Sequence, residues 1–366
     1  MRCAILAPVP VPYREPLFRG LAARGRIAPQ VIYLAGAQPG WDQRSDWFAA
    51  GGGYDSAVLR SWQRRRPGRT PLMLARGLQA ALNRADPEVV VSSEYGPATW
   101  RAMAWARRRG RRVVIMSELT PWSDPMLSAA QRRIHRLLAP RVDGFVVFSS
   151  QGVERLEGMG VPRERIEVSL QSADLERAAP LARSRAGPVC VLSVGRLVPD
   201  KNLVELVEAF AEAGFDEGEA ELELCGTGPL EADLSARAQR LGVPLRLHGY
   251  TAPDELPSLY READVLALVS TYEPFGVTVR EAAAAGLPLI CSVRAGAAGD
   301  VAVDGENALL VDPTDRAAIA AALRELVRDA ALRERLAAGS LAVTERHPLQ
   351  ADVEAFERAV LKAAGA

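Results

Sequence analysis

Short apolar runs rich in Val and Ile alternate with amphipathic helix-forming runs along almost all of this 366-residue chain. That alternation constrains the fold more than any other feature, because repeated strand–helix–strand units build parallel sheets covered by helices. In the first half, Cys3–Ala7, Gln30–Leu34, Val89–Ser92, Val113–Met116 and Gly144–Phe148 read as strands. Pro16–Arg24, Pro71–Arg84, Ala98–Arg109, Ala129–Leu138 and Gln151–Met159 read as helices. The pattern lapses in an Arg-, Ala- and Pro-rich stretch and restarts at Val189. There, Val189–Val194, Ala220–Cys225, Leu245–His248, Val265–Val269, Leu287–Ser292 and Ala308–Val311 read as strands. Leu203–Ala213, Leu230–Leu241, Asp254–Arg261 and Val277–Ala285 read as helices, with Arg316–Ala338 and Leu349–Ala363 closing the chain. The expectation is an α/β protein of two Rossmann-like doubly wound domains, 1–176 and 189–345, joined by a linker at 177–188. A C-terminal helix at 346–366 is expected to pack back toward the first domain. Gln38–Thr70 breaks the pattern and reads as a long irregular insertion, of the kind that usually serves function.

Charge separates the halves. Residues 1–180 hold 27 Arg and 16 acidic residues; residues 181–366 hold 16 Arg, 2 Lys and 29 acidic residues, so a net charge of zero hides +11 against −11. All six tryptophans (Trp41, Trp47, Trp62, Trp100, Trp105 and Trp122) lie in the first half. Trp100 and Trp105 fit a helix that packs the core, whereas Trp41, Trp47 and Trp62 lie in the irregular insertion and point to function. Cys3, Cys190, Cys225 and Cys291 sit far apart in or beside apolar runs, as buried thiols of a reducing cytosol would. Neither they nor His135, His248 and His347 have metal-ligand spacing, so no metal is expected. No apolar run is long enough to cross a membrane, and Met1–Ala7, cut off by Pro8, reads as a first strand rather than a leader.

Chemistry gathers where strands should end. Gly195-Arg196 is followed by Lys201, Gly226-Thr227-Gly228 follows the next strand, and Gly249-Tyr250-Thr251 the one after. Glycine lets backbone approach a ligand, and paired cations suit a phosphate. With only two lysines in the chain, Lys201 stands out; the plainer reading is a solvated turn with an ion pair to Asp200. Glu273 and Glu281 bracket a Pro-Phe-Gly break between a strand and a helix. They could clamp the hydroxyls of a nucleotide sugar, act as general acid and base, or be structural, with Glu281 capping its helix or pairing with Arg280 or Arg294.

Taken in order, these motifs resemble the donor domain of the family-four retaining glycosyltransferases, which have the GT-B fold of two Rossmann-like domains facing across a cleft. The resemblance covers residues 189–312: Gly195-Arg196 with Lys201-Asn202, Gly226-Thr227-Gly228-Pro229, the Glu273–Glu281 pair, and Gly296–Asp300 with Asp304–Asn307. It implies transfer of a hexose-type sugar from a nucleoside-diphosphate sugar, with no cofactor and no metal. Arg196 and Lys201 would neutralise the diphosphate and stabilise its departure. Glu281 would hold the ribose, and Glu273 the sugar beside Phe275, Gly276 and Val277. Tyr250 and Thr251 would lie against the base, near the Gly195, Gly226 and Gly228 turns.

The first domain resembles the family more loosely, through Tyr13–Phe18, Phe148-Ser149-Ser150 and Gln171–Asp174. Its acceptor-side residues are expected to be Tyr13, Arg14, Trp41, Trp47, Glu94 and Glu118. Ser117-Glu118-Leu119-Thr120 stands where many members carry a histidine, so Glu118 is a candidate catalytic residue in its place. The expected acceptor is a sugar, a lipid-linked glycan or a small natural product, and not nucleic acid. The arginines at 64–69 and 107–112 fit peripheral contact with the inner membrane face of a cytoplasmic protein. Another activity on this fold, such as nucleotide-sugar epimerisation, or non-catalytic nucleotide binding, are the alternatives.

Overall fold

The computed structural model describes residues 1–38, 52–66, 69–175, 178 and 187–365; the side chains of 65–71 lie outside the description. The chain divides into two compact units: Met1–Ser172 with Leu349–Ala366, and Ala173–Pro348.

The first unit runs β1 (Arg2–Ala7), α1 (Glu15–Arg24), β2 (Ala28–Tyr33), β3 (Asp55–Val58), β4 (Ser61–Arg66), β5 (Arg69–Ala75), α2 (Leu78–Ala85), β6 (Val89–Ser93), α3 (Pro97–Arg109), β7 (Arg112–Ser117), α4 (Ala129–Leu138), β8 (Gly144–Val147), α5 (Ser150–Glu157) and β9 (Ile166–Val168). Seven strands form one parallel sheet in the order β3-β2-β1-β6-β7-β8-β9. Burial on both faces explains why the strands read as continuous apolar runs: Ala4, Ile5, Leu6, Val89, Val90, Val91, Phe145, Val146 and Val147 have no accessible surface.

The second unit runs β10 (Val189–Val194), α6 (Leu203–Ala213), β11 (Ala220–Cys225), α7 (Glu231–Leu241), β12 (Leu245–Gly249), α8 (Leu256–Glu262), β13 (Val265–Leu268), α9 (Val277–Ala284), β14 (Leu289–Ser292), β15 (Ala308–Val311), α10 (Arg316–Arg328) and α11 (Ala330–Arg346). Its six parallel strands take the order β12-β11-β10-β13-β14-β15. The order reverses between β10 and β13, and open α/β sheets bind ligands outside the strand C-termini at such a switch point.

The last helix, α12 (Leu349–Ala364), belongs to the first unit and contacts α1, β7, β8 and β9. Val353, Phe356 and Val360 form its buried stripe, and Asp352 accepts a hydrogen bond from the Leu170 amide at 2.9 Å. A Cβ on Gly20 of α1 would stand 2.6 Å from Val353, so the small residue sets how closely the two helices meet.

Three local expectations fail. Pro71–Arg84 is not one helix: Arg69–Ala75 is a strand, and a helix starts only at Leu78, after Gly77 at φ +76°. The Leu-, Met- and Ala-rich composition favours helix, but antiparallel pairing with β4 overrides it. Met73 turns inward and Leu74 outward, a period of two rather than 3.6. Among its described residues the insertion at 38–70 holds the strands β3 and β4. Arg316–Ala338 is interrupted because the Asp329 side chain accepts from the Leu332 amide at 2.8 Å and starts α11. Trp100 does not pack the core. The buried stripe of α3 is Ala98, Thr99, Ala102, Trp105 and Ala106, which leaves Trp100 45% exposed. Trp105 is buried, and its indole donates to Asn83 at 2.7 Å. The short strand β9, at the sheet edge, escapes the periodicity altogether.

Candidate active site

The C-terminal edge of the second sheet is stitched by backbone. The Gly195 amide donates to Cys225 O at 2.9 Å, Leu197 to Thr227 O at 2.9 Å, and Gly226 to Gly249 O at 2.8 Å. The loops after β10, β11 and β12 thus form one surface. Glycine is required at two of the contacts. A Cβ at Gly226 (φ +135°) would lie 2.0 Å from Gly195 O, and one at Gly228 would lie 2.3 Å from Leu197 O. Thr251 is held at the same edge by the Cys225 thiol at 3.2 Å, with Tyr250 beside it in sequence.

Lys201 ends a single 3-10 turn, Pro199–Lys201, after which Asn202 takes a left-handed conformation (φ +59°) and leads into α6. The Asn202 amide group donates to Pro313 O at 2.7 Å, fixing the turn from outside. Thr271, in the loop after β13, donates its amide to Asp200 O at 3.0 Å. That tie draws the two loops together and sets Lys201 Nζ against Glu273 Oε2. Both side chains keep some solvent contact, 19% and 12%, so the pair stands at a surface and can exchange partners. A small cavity beside it is lined by Gly195, Arg196, Lys201, Leu268 and Ser270, and Arg196 is exposed.

Glu273 and Glu281 are held differently. Phe275 is buried, Gly276 at φ +98° turns the chain into α9, and Val277 is the first helical residue. The next loop crosses closely: Gly296 donates to Glu273 O at 3.0 Å and Ala297 to Phe275 O at 2.8 Å. A Cβ at Gly296 would strike Pro274 O at 2.2 Å. Glu281 lies one helical turn into α9 and accepts a hydrogen bond from the buried Tyr260 hydroxyl at 2.7 Å. Burial, then the Glu281 charge, pushes the Tyr260 phenol well above its ordinary range, so it remains a donor. Tyr260 was not legible as a site residue; its partner lies 21 positions away on another helix.

A second polar cluster lies in the first unit, at the C-terminal ends of β1, β6, β7 and β8. Arg14 is buried, pairs with Glu118, and sits over the Phe148 ring at 5.6 Å. Tyr13 accepts a hydrogen bond at its carbonyl from Ser172. Glu94 adopts φ +54°, uncommon for a residue with a side chain. Its carboxylate accepts from the Glu118 amide at 2.6 Å and the Ser117 hydroxyl at 2.9 Å, while Thr99 bonds its carbonyl at 2.6 Å. Burial raises its pKa to about 7, with the Glu118 charge adding to the rise. Beside it, Tyr95 stacks on His135 with centroids 4.2 Å apart, and Arg155 bonds His135 Nδ1 at 3.1 Å and Asp124 at 2.9 Å. Burial and Arg155 lower the His135 pKa to about 4, so it is neutral and accepts. Of the other acceptor-side expectations, Trp41 and Trp47 lie outside the described residues, and Trp62 is half exposed on β4.

All four cysteines are free and buried. Among the described residues, Cys190 with Glu221 and Glu223 brings ligand-type atoms within 4.8 Å of one another, on paired strands of the second sheet and not at its binding edge. Their separation in sequence hides this grouping.

The fold is that of a GT-B glycosyltransferase. Residues 181–340 match the family model for glycosyl transferases group 1, and residues 10–169 that for the glycosyl transferase 4-like domain. The chain belongs to the group 1 glycosyltransferases. A Mycobacterium tuberculosis glycogen synthase is 32% identical over 220 residues, which cover 59% of this chain and 53% of the relative. The chain thus spans about half the length of the first curated relatives it matches. A Mycolicibacterium smegmatis protein named GDP-mannose-dependent alpha-(1-6)-phosphatidylinositol monomannoside mannosyltransferase is 29% identical over 306 residues, covering 75% of this chain and 78% of the relative. The crystal structure of Anabaena Alr3699/HepE in complex with UDP and glucose superposes with a TM-score of 0.75 at 18% identity, covering 98% of each chain. No helix among the described residues is long and apolar enough to cross a membrane.

Proposed function

We propose that this protein is a retaining glycosyltransferase that moves a hexose-type sugar from a nucleoside-diphosphate sugar to an acceptor hydroxyl. One observation carries the reading: Lys201 and Glu273, 72 positions apart, meet at the switch point of the second sheet, on the glycine-stitched edge that also bears Arg196.

The diphosphate lies along the Gly195 turn, with Arg196 and Lys201 neutralising it. Lys201 exchanges Glu273 for a phosphate oxygen and frees that carboxylate to accept sugar hydroxyls beside the Phe275–Val277 backbone. Glu281, oriented by Tyr260, accepts both ribose hydroxyls, and Tyr250 and Thr251 border the base. The bond from anomeric carbon to diphosphate breaks as the acceptor oxygen bonds to the same face of that carbon. The departing phosphate takes the acceptor proton, so configuration is retained. Most of the acceleration then comes from stabilising the leaving diphosphate, a preorganised electrostatic effect. No step in this reading calls for a metal. The first unit selects the acceptor through Arg14, Glu94 and Glu118. Exposed Trp62 with its cross-strand partner Leu74, near Arg60, Arg64 and Arg76, supports peripheral contact with an anionic membrane face.

A thermal-shift screen with UDP, GDP, ADP and TDP and their sugars tests the donor side, since a ligand of the folded state raises its stability. One nucleotide is expected to shift the transition and Lys201→Ala to remove that shift; no shift from any of them sinks the reading. Release of nucleoside diphosphate only with acceptor present separates transfer from epimerisation.

A further inference from the structure

Tyr260 stands behind Glu281 in the second unit. It lies on α8, which packs against β10, and only 2% of it is accessible. Its hydroxyl donates to Glu281 Oε2 at 2.7 Å, while Glu281 itself is half-buried. The carboxylate is thus anchored from the interior and keeps some contact with solvent. Tyr260 also lies within electrostatic reach of Cys225 at the end of β11, whose thiol donates to Thr251 Oγ1 at 3.2 Å. The buried phenol is therefore placed beneath the edge to which Thr251 belongs.

A buried phenol needs a partner for its proton, but any acceptor would serve. This one is a carboxylate, so the bond is charge-assisted and stronger than a neutral one. Burial and the Glu281 charge keep the phenol neutral, so it stays a donor. A glutamate side chain has several rotatable bonds, and freezing them when a ligand binds costs affinity. Tyr260 freezes them beforehand, which is preorganisation. A carboxylate held in one orientation accepts two neighbouring hydroxyl donors, as a vicinal diol presents them. A ligand that lacks one of the two leaves an acceptor position unmatched.

We infer that Tyr260 is a positioning residue: by fixing Glu281 it makes the site select nucleotides whose ribose carries both the 2′- and the 3′-hydroxyl and reject 2′-deoxynucleotides. The inference rests on the transferase reading, which assigns Glu281 to the ribose. Tyr260 acts through Glu281 and takes no part in bond making or breaking. Its effect is on which nucleotide binds. A carboxylate released from the phenol turns to follow the single remaining hydroxyl of a deoxyribose. Loss of the phenol therefore costs the ribonucleotide more than the deoxynucleotide.

The test uses the full chain. UDP, GDP and ADP are each titrated calorimetrically beside the 2′-deoxy counterpart. In the wild type, the nucleotide that binds is expected to do so about thirtyfold more tightly than its deoxy form, the scale of one hydrogen bond to a charged group. Tyr260→Phe keeps the ring and removes one oxygen. It is expected to weaken the ribonucleotide about tenfold and to leave the deoxynucleotide within about twofold, so most of the discrimination disappears. A merely structural tyrosine would weaken both nucleotides equally and leave their ratio intact. That result, or a wild type that binds both forms alike, overturns the inference. If Tyr260→Phe does not fold, Tyr260→Met fills the same space with an adaptable apolar chain and takes its place. Nucleotide binding without discrimination leaves the transferase reading standing, whereas no binding by any of these nucleotides removes both.

Discussion

The C-terminal edges of the two sheets are built from different materials. The second unit makes its edge from backbone: glycines at Gly195, Gly226 and Gly228 allow loops to touch, amide–carbonyl bonds lock them, and few charged side chains are added. The first unit makes its edge from side chains, with Arg14, Glu94, Glu118 and Arg155 buried or half-buried around one another. A backbone edge presents the same amides whatever the neighbouring side chains are, which suits a donor handle common to many substrates. A side-chain edge can be rewritten by single substitutions, which suits an acceptor that differs from protein to protein.

That contrast can be broken most directly at Lys201. Lys201→Ala and Glu281→Ala are expected to lower turnover by about 10²–10³-fold, the scale of losing one preorganised electrostatic contact, with an unchanged circular dichroism spectrum. Near-normal turnover in both would mean the cations and acids of the second edge do not work as proposed. Gly226→Ala attacks the same edge through backbone. With its Cβ overlapping Gly195 O, it should destabilise the second unit by about 3 kcal/mol in urea unfolding and abolish nucleotide binding. An alanine tolerated there would show that the loops need no close contact.

On the side-chain edge, pH is the sharper tool. The folded-state pKa of Glu94 is raised from 4.5 to about 7, so the folded protein holds that proton more tightly than the unfolded chain. The resulting stability is fully present below pH 4.5 and is lost as pH rises to about 7. Glu94→Gln should remove this contribution, flattening the stability profile by about 1–3 kcal/mol between pH 5 and pH 8 in denaturant titrations. A profile identical to wild type would place the carboxyl in a far more solvated setting. The smallest effect is expected at Trp100. Exposed on α3, its replacement by Ser should change stability by no more than about 0.5 kcal/mol, whereas Trp105→Ala should cost about 3–5 kcal/mol.

Much of the second edge was legible because its signals are local. A glycine after a β run, one of only two lysines in an arginine-rich chain, and two glutamates around Pro274-Phe275-Gly276 can each be read within a few residues. The first edge was legible only in fragments. Arg14 and Glu118 were each candidates, yet nothing in the sequence says that residues 104 positions apart form a pair. Arg155 and Tyr95 carried no signal at all, since an arginine on a helix is ordinarily a solvated one. The β4–β5 ribbon was hidden for a related reason: residues suited to helix were drafted into a strand by their partner across the turn.

What the sequence by itself determined is the alternation of strands and helices, and with it two parallel sheets whose C-terminal edges gather the candidate site residues. Burial period and turn chemistry act over a few residues, so they are written locally. Only the tertiary structure decided which side chains meet. Thr271 bonding Asp200 brings Lys201 to Glu273, and the adjacency of β1, β6, β7 and β8 brings two buried arginines to Glu94. Those meetings depend on strand order and register, which are properties of the whole chain.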